Sequence, residues 1–255
     1  MSKLPLEYKF IDVSDYGRKP GRWIAKSLVS TNATPIHVTS AFIISGLIAI
    51  ICILNNFYFA AAFFIILKSI IDASDGELAR LKKTPSYTGR YYDSLADLFL
   101  NFLLLSSIAY VTDTAFGVML LAFFGIQLQG TIYNFYYVIL RNSVNGDSTS
   151  RVFEKETPTA LPGEKQSTVD RFYATYNAFY GPFDKVIYAL DKDAANSKPF
   201  PKWFMTLISV YGLGFQLLIM AIMLILDLAA YIIPFFTWYS VLILVFVAIR
   251  KLILK

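Results

Sequence analysis

Residues 57–97 read FYFAAAFFIILKSIIDASDGELARLKKTPSYTGRYYDSLAD, and this stretch decides the fold. One apolar run ends in Asp72 and Asp75, and a second apolar run begins just after Asp93 and Asp97. The predicted spans that contain these runs are close in length to the ~20 residues that a helix needs to cross the hydrocarbon core of a bilayer. Ionisable groups so near to lipid are costly and usually mark a functional site. The four aspartates therefore predict a membrane protein and the location of its chemistry.

The rest of the chain is also rich in apolar residues. Its 255 residues are 56% hydrophobic and its mean hydropathy is +0.53, values that favour a membrane protein over a soluble domain. Because lipid offers the backbone no hydrogen-bond partners, the long apolar runs are predicted to be helices. The predicted spans are residues 36–54, 57–81, 91–112, 115–140, 203–226 and 232–253. The predicted fold class is an all-α integral membrane protein with six transmembrane helices.

The distribution of lysine and arginine predicts the topology. The short connections at 55–56, 112–114 and 228–234 contain no Lys or Arg, whereas the other connections and the two ends hold nearly all of them. With six spans, these basic segments lie on one side of the membrane, and the positive-inside rule makes that side cytoplasmic. We expect a multi-pass protein whose N-terminus, C-terminus and active site face the cytoplasm.

Two segments lie outside the predicted spans. In residues 1–33, a helix after Pro20 carries Trp23, Ile24 and Leu28 on one face, which predicts an interfacial amphipathic helix; ordinary packing against the protein is the alternative. Residues 34–255 are predicted to form the catalytic domain, with a cytoplasmic excursion at 142–202 that contains one or two helices near 165–192. The single cysteine, Cys52, excludes an intrachain disulfide and zinc ligation by thiolates.

The spacing of the aspartates groups them into two pairs. On a helix, Asp72 and Asp75 are i,i+3 neighbours and Asp93 and Asp97 are i,i+4 neighbours, so each pair projects from one face. A turn at 84–86 allows the two faces to meet. Converging carboxylates repel one another unless a cation lies between them. Oxygen ligands favour Mg²⁺, Mn²⁺ or Ca²⁺ over zinc, and four carboxylates suffice for two such ions.

Residues beside the aspartates indicate the kind of ligand. Gly76 and Ala79 leave room for a ligand near the backbone, although close helix packing also explains small residues in membranes. Arg80 is suited to clamp a phosphate or to pair with an aspartate. Lys68 is predicted first to pair with the cluster, and otherwise to meet a lipid phosphate or to snorkel to the boundary. Metal ions beside an arginine suit a pyrophosphate, and a free carboxylate can accept the proton of an attacking hydroxyl.

Two other functions are compatible with acidic residues in a membrane. One is a divalent-cation transporter, but both pairs are predicted at one membrane face and no inverted repeat is visible. The other is a structural role, in which the aspartates pair with Lys68, Arg80 and Arg90.

The spaced motif resembles the signature of the CDP-alcohol phosphatidyltransferases, also called CDP-alcohol phosphotransferases. The pattern is D-x2-D-G-x2-A-R-x8-G-x3-D-x3-D, filled here by Asp72, Asp75, Gly76, Ala79, Arg80, Gly89, Asp93 and Asp97. Six spans with the motif across the second and third also resemble that family. The chain departs from it at Thr34-Pro35-Ile36, where many members carry Thr-Pro-Asn.

The resemblance implies an enzyme of phospholipid synthesis that displaces CMP from a CDP-linked substrate, with two Mg²⁺ or Mn²⁺ ions as cofactors. It implies that Asp97 is the general base. The metal ligands that it implies are Asp72, Asp75, Asp93 and Asp97, and the nucleotide-binding residues are Gly76, Ala79, Arg80 and Gly89.

The resemblance leaves two substrate arrangements open. The favoured arrangement transfers a phosphatidyl group from CDP-diacylglycerol to a small polar alcohol such as glycerol phosphate, inositol phosphate, inositol or serine. The alternative transfers the phosphorylated head group from CDP-choline or CDP-ethanolamine to diacylglycerol. Candidate contacts to the acceptor or to a lipid phosphate are Lys68, Arg90 and Arg141. A homodimer in contact with membrane lipids and without a nucleic-acid partner is also expected, with Gly212 and Gly214 suited to packing between copies.

Overall fold

A computed structural model of the chain describes residues 4–144, 156–196 and 199–254. Residues 145–155 and 197–198 of the predicted excursion lie outside the described residues. In the described part, regular structure is entirely helical, as predicted. The α-helices are α1 (Arg18–Leu28), α2 (Pro35–Leu54), α3 (Tyr58–Lys82), α4 (Tyr87–Val111), α5 (Phe116–Ser143), α6 (Gln166–Leu190), α7 (Lys202–Ile208), α8 (Leu213–Ile225), α9 (Ala229–Tyr239) and α10 (Leu242–Ile253).

The described residues contain four or five candidate spans, where the sequence predicted six. Length and composition suit α2, α4, α5 and the stretch Ala229–Ile253 formed by α9 and α10. Together, α7 and α8 make a fifth candidate that is bent by 51°. The 25-residue helix α3 is long enough, but Lys68, Asp72 and Asp75 lie in its apolar part and it is not among these candidates.

Local signals in the sequence start α2. Thr34 Oγ1 accepts a hydrogen bond from His37 N at 3.3 Å, and His37 Nδ1 accepts one from Thr34 N at 3.2 Å. This reciprocal pair is a capping box, and Pro35 occupies the first helical position. The helix that starts here carries Thr39 to the aspartates of α3.

Among the residues that the structure describes, four helix ends have the same left-handed cap. The capping residues, with φ between 51° and 59°, are Asn56, Lys83, Asp113 and Asp227. In each case the next N–H donates to the carbonyl five residues earlier, as Thr84 does to Ala79 at 3.0 Å. These caps end α2, α3, α4 and α8, and they allow short turns to the helices that follow.

Two glycines, one just before α1 and one within it, pack against α3. A Cβ atom added to Gly17 would lie 2.9 Å from Ser69 O, and one added to Gly21 would lie 3.0 Å from Ile70 O. On the outer face, Trp23 is 75% exposed. A helix therefore forms around Pro20, and its inner face packs on the protein.

The break between α7 and α8 receives the N-terminal segment. Val13 N donates a hydrogen bond to Ser209 Oγ at 3.1 Å. A side chain on Gly212 or Gly214 would overlap Ser14. These two glycines thus pack against their own chain, which corrects the expectation that they serve packing between copies.

The helices around α4 position the site. Both α3 and α4 pack against α2, whereas α3 and α4 approach each other closely at few positions. On its other side α4 packs against α5 and α6. The end of α6 is fixed by the fully buried Asp191, which accepts hydrogen bonds from Tyr136 at 2.8 Å and Arg250 Nε at 2.5 Å. Side chains rather than backbone contacts therefore connect α3 to α4.

Candidate active site

Three of the four aspartates form one compact group. Carboxylate oxygens of Asp72, Asp75 and Asp93 all lie within 4.8 Å of one another, the first two from α3 and the third from α4. Asp93 Oδ1 is inaccessible to solvent and accepts no hydrogen bond within the described part of the chain. A buried oxygen without a partner is costly, and a cation would satisfy it. The group therefore fits a divalent ion that prefers oxygen ligands, such as Mg²⁺ or Mn²⁺.

A hydroxyl from α2 orients one of these carboxylates. Thr39 Oγ1 donates a hydrogen bond to Asp75 Oδ2 at 2.7 Å, and both side chains are buried. The contact of Thr39 was not predicted from the sequence. Its one signal was a polar residue in an apolar run close to the Thr34-Pro35 start of α2.

Lys68 connects the group of three to the fourth aspartate. Its Nζ donates to Asp72 Oδ2 at 2.9 Å and also contacts Asp97 Oδ1. Lys68 is only 1% exposed, and its Nζ lies 4.6 Å from the centre of the Phe42 ring. The ammonium group thus pairs with the cluster and keeps Asp97 next to the three grouped carboxylates.

Arg80 pairs with a glutamate rather than with an aspartate in the described structure. Arg80 donates to Glu77 Oε1 at 2.9 Å. Glu77 also contacts Arg22 at 3.3 Å and Arg18 at 3.7 Å, both from α1. The role of Glu77 was not predicted from the sequence, because a glutamate three residues before an arginine is a common pattern on helix surfaces.

The small residues of the motif lie on the same helices. A Cβ atom added to Gly76 would contact the Arg80 guanidinium at 3.5 Å, so this glycine leaves space beside that side chain. Ala79 is half-buried one turn further along α3. Gly89 N donates to Ser86 Oγ at 2.8 Å and so takes part in the cap of α4.

A residue from the distant segment before α6 caps α4. Glu164 accepts hydrogen bonds from Ser86 Oγ at 2.8 Å, Tyr87 N at 3.1 Å and Thr88 N at 2.7 Å. Partial burial raises the pKa of the Glu164 carboxyl, but these hydrogen bonds outweigh burial and hold the pKa below its ordinary value. Glu164 thus fixes the start of the helix that carries Asp93 and Asp97.

A cavity of about 340 Å³ opens beside Asp97. It lies between α4, α5, α6 and the start of α8, and its lining includes Arg90 as well as Asp97. Arg141 is buried on α5 with its guanidinium 5.7 Å from the Tyr137 ring, and it does not line this cavity. Of the three cations proposed as acceptor contacts, one therefore reaches the cavity, while Lys68 lies within the carboxylate cluster.

Comparison with known proteins bears on what this arrangement does. A family model described as CDP-alcohol phosphatidyltransferase matches residues 32–161, which is just over half of the 255-residue chain. The match includes α2, α3, α4 and α5, and therefore all four aspartates. No curated protein sequence matches the chain closely enough to count as a relative.

Proposed function

Because the chain belongs to the CDP-alcohol phosphatidyltransferase family, we propose that it transfers a phosphatidyl group from CDP-diacylglycerol to a small polar alcohol. The protein is a transferase, of a family that acts on CDP-linked substrates and lipids. The observation that carries the proposal is the carboxylate group beside a small cavity that Asp97 lines. A volume of about 340 Å³ is at the lower end for ligand pockets, and it favours a small alcohol over diacylglycerol as the acceptor.

The carboxylate group supports a metal-assisted reaction. The family is divalent-metal dependent in general. We assign Mg²⁺ or Mn²⁺ to Asp72, Asp75 and Asp93, and a second ion to the same group with Asp97 as an additional ligand. When bound, such ions neutralise phosphate oxygens and stabilise the leaving CMP.

Asp97 is assigned as the general base. As the acceptor hydroxyl attacks the phosphorus next to the lipid, Asp97 accepts its proton and a new phosphorus–oxygen bond forms. The bond from that phosphorus to the oxygen shared with CMP breaks, and CMP leaves with that oxygen. Lys68 holds the Asp97 carboxylate in position. The motif assigns the nucleotide to Gly76, Ala79, Arg80 and Gly89.

The remaining structural assignments belong to the same proposal. With 25 residues, α3 is long enough to span a bilayer, about 37 Å at the usual helical rise, and it would bring the number of spans to six. The basic segments then lie on the cytoplasmic side with the active site. The exposed Trp23 supports α1 at the membrane surface. A homodimer is inferred from family membership alone.

The test measures CMP release by the purified protein in micelles that contain CDP-diacylglycerol, Mg²⁺ and one alcohol of a panel. We expect release with at least one alcohol, loss of release in EDTA, and recovery with Mg²⁺ or Mn²⁺. In Asp97→Asn, release should fall by roughly 10²- to 10⁴-fold, as expected for the loss of a general base. Asp170→Asn, an exposed aspartate of α6, is the matched control and should keep full activity.

Three results would contradict the proposal. No CMP with any alcohol, nor with CDP-choline and diacylglycerol, would exclude the activity. CMP release with CDP-choline and diacylglycerol, but not with CDP-diacylglycerol and any alcohol, would reverse the assigned substrates. Full activity of Asp97→Asn would remove that residue from the reaction.

A further inference from the structure

Glu77 lies where arginines from two helices meet. Its carboxylate contacts Arg80 on its own helix, α3, and both Arg22 and Arg18 on α1. The Glu77 side chain is only 9% exposed, so these contacts are largely shielded from solvent. Arg18 also pairs with Asp15 at 2.9 Å. Arg22 and Arg80 therefore share one carboxylate, and these three arginines and two acids together keep an excess of positive charge.

The contact with Glu77 fixes the direction of the Arg80 side chain. Arg80 Nη2 donates to Glu77 Oε1 at 2.9 Å, about one turn back along α3. A Cβ atom added to Gly76 would lie 3.5 Å from Arg80 Nη1, so the guanidinium lies beside that glycine. Gly76 directly follows Asp75, a member of the carboxylate group. The guanidinium is therefore held beside the motif positions to which the proposed function assigns the nucleotide.

In this position Arg80 is able to bind an anion. A guanidinium has several N–H donors, and the hydrogen bond to Glu77 engages one of them. The Arg80 side chain is 27% exposed, so a ligand can reach it. An arginine loses rotamer freedom when it binds a phosphate, and one that is already held in place loses less. Glu77 thus lowers the cost of binding, although its negative charge opposes the approach of a phosphate.

The other side of the Glu77 carboxylate is held by α1. Arg22 Nε donates to Glu77 Oε2 at 3.3 Å, and Arg22 Nη2 donates to Oε1 at 3.5 Å. Gly21 allows this close approach of the two helices, since a Cβ atom added to it would lie 3.0 Å from Ile70 O. Helix α1 precedes the region that the family model matches, and Glu77 occupies a position that the motif leaves unspecified. The link between α1 and Arg80 is therefore not part of the motif.

We propose that Glu77 is a positioning residue for nucleotide binding and that α1 supports it through Arg22, an inference that rests on the proposed function. Glu77 holds the Arg80 guanidinium beside Gly76, where it meets a phosphate of the CDP-linked substrate. Arg22 in turn holds the Glu77 carboxylate. The affinity for the nucleotide therefore depends on a helix that lies outside the sequence motif.

The first measurement is the binding of CDP, a soluble nucleotide with both phosphates of the substrate, in the absence of turnover. Isothermal titration calorimetry on the purified protein in micelles with Mg²⁺ gives the dissociation constant. Glu77→Gln keeps the size of the side chain but loses the charge that holds Arg80, so we expect the dissociation constant to rise about tenfold. In a protein that already carries Arg80→Gln, the same change should have no further effect, because Glu77 acts through Arg80.

A second variant tests the contribution of α1. The Arg22 side chain is 53% exposed, so Arg22→Gln should fold even if Glu77→Gln does not. It should raise the dissociation constant for CDP about twofold, the effect of a half-exposed ion pair, and should have no effect when Glu77→Gln is present. The matched control is Lys26→Gln, an exposed cation one turn further along α1, which should leave the dissociation constant unchanged.

The outcomes separate this inference from the proposed function. An unchanged or tighter affinity in Glu77→Gln would overturn the inference, because Glu77 would then act only on stability or only as a negative charge near the nucleotide. Equal dissociation constants for Arg22→Gln and Lys26→Gln, or no binding of CDP to the wild type, would also overturn it. CMP release by the wild type together with any of these results would support the transferase activity alone. Weaker CDP binding in both variants, without CMP release from any substrate, would support the positioning role and exclude the activity.

Discussion

At the scale of single residues, the acidic cluster contains a buried cation, Lys68. A buried lysine next to four carboxylates supplies one positive charge within the protein, in contact with Asp72 and Asp97. Breaking a buried ion pair by removing one partner is strongly destabilising, since it leaves the other charge uncompensated. Lys68 therefore contributes to stability as well as to the geometry of Asp97.

We expect Lys68→Met to lower the thermal unfolding midpoint, with a loss of stability of about 3 kcal/mol in the absence of divalent ions. Added Mg²⁺ should recover part of this loss, because the ion supplies charge to the same carboxylates. Unfolding curves with and without Mg²⁺ measure the effect. The exposed Lys19→Met is the control and should show neither the loss nor the recovery. A loss that Mg²⁺ does not change would mean that Lys68 acts only through packing.

The residues of the site differ in how far they could be predicted. Asp72, Asp75 and Asp93 could be predicted to lie close together because each pair has helical spacing within a short stretch, and the structure brings these three together. Thr39 could not, because its contact with Asp75 depends on how α2 packs against α3. Arg80 was predicted to meet a phosphate or an aspartate, whereas in the structure it contacts Glu77, which α1 also reaches.

At the scale of helices, the start of α4 depends on a residue far along the chain. Helix N-termini leave several backbone N–H groups without partners, and a carboxylate near them is favourable. Ser86 provides the local cap, and Glu164 binds two further N–H groups. No local pattern in residues 84–90 reveals this second cap. For a similar reason the bend between α7 and α8 was not predicted, since the N-terminal segment docks there.

Glu164→Gln should reduce the stability of the protein in a pH-dependent way. The pKa of Glu164 is lowered in the folded protein, so its contribution is complete above the ordinary glutamate pKa of about 4.3 and is lost as the pH falls through the lowered value. The difference in unfolding midpoint between wild type and variant should be constant from neutral pH to about pH 5 and shrink below that. Unfolding midpoints across this range test the expectation; Glu7→Gln, at an exposed position, is the control. A difference that persists unchanged in acid would contradict it.

At the scale of the whole molecule, the number of spans decides where the active site faces. Four helices or helix pairs, or five with the bent pair α7 and α8, qualify by length and composition in the described residues. The sequence predicted six because it counted α3 by its apolar run, although three charged residues, Lys68, Asp72 and Asp75, lie within the first 18 residues of that helix. The fold class could thus be predicted from composition, but the span count could not be read from hydropathy alone.

The proposed topology predicts which turns are accessible from each side. In a protein with Cys52→Ala, a single cysteine in place of Asn55, Ala115 or Leu228 should react with a membrane-impermeant maleimide in intact cells. Thr84→Cys should react only after the membrane is permeabilised. All four positions are exposed and lie next to short turns, so folding should be unaffected. Labelling of Thr84→Cys in intact cells would invert the topology or remove α3 from the spans.

The cap that Glu164 forms on α4 sets a lower limit on the length of any fragment that could be moved into another protein. The family match ends at residue 161, three residues before Glu164. A chimera that exchanged only residues 32–161 with another family member would separate α4 from this carboxylate and from Tyr180 of α6, whose hydroxyl donates to Ser94 O at 2.8 Å. The smallest exchangeable unit of this protein is therefore longer than the region that the family model matches, and it extends through α6.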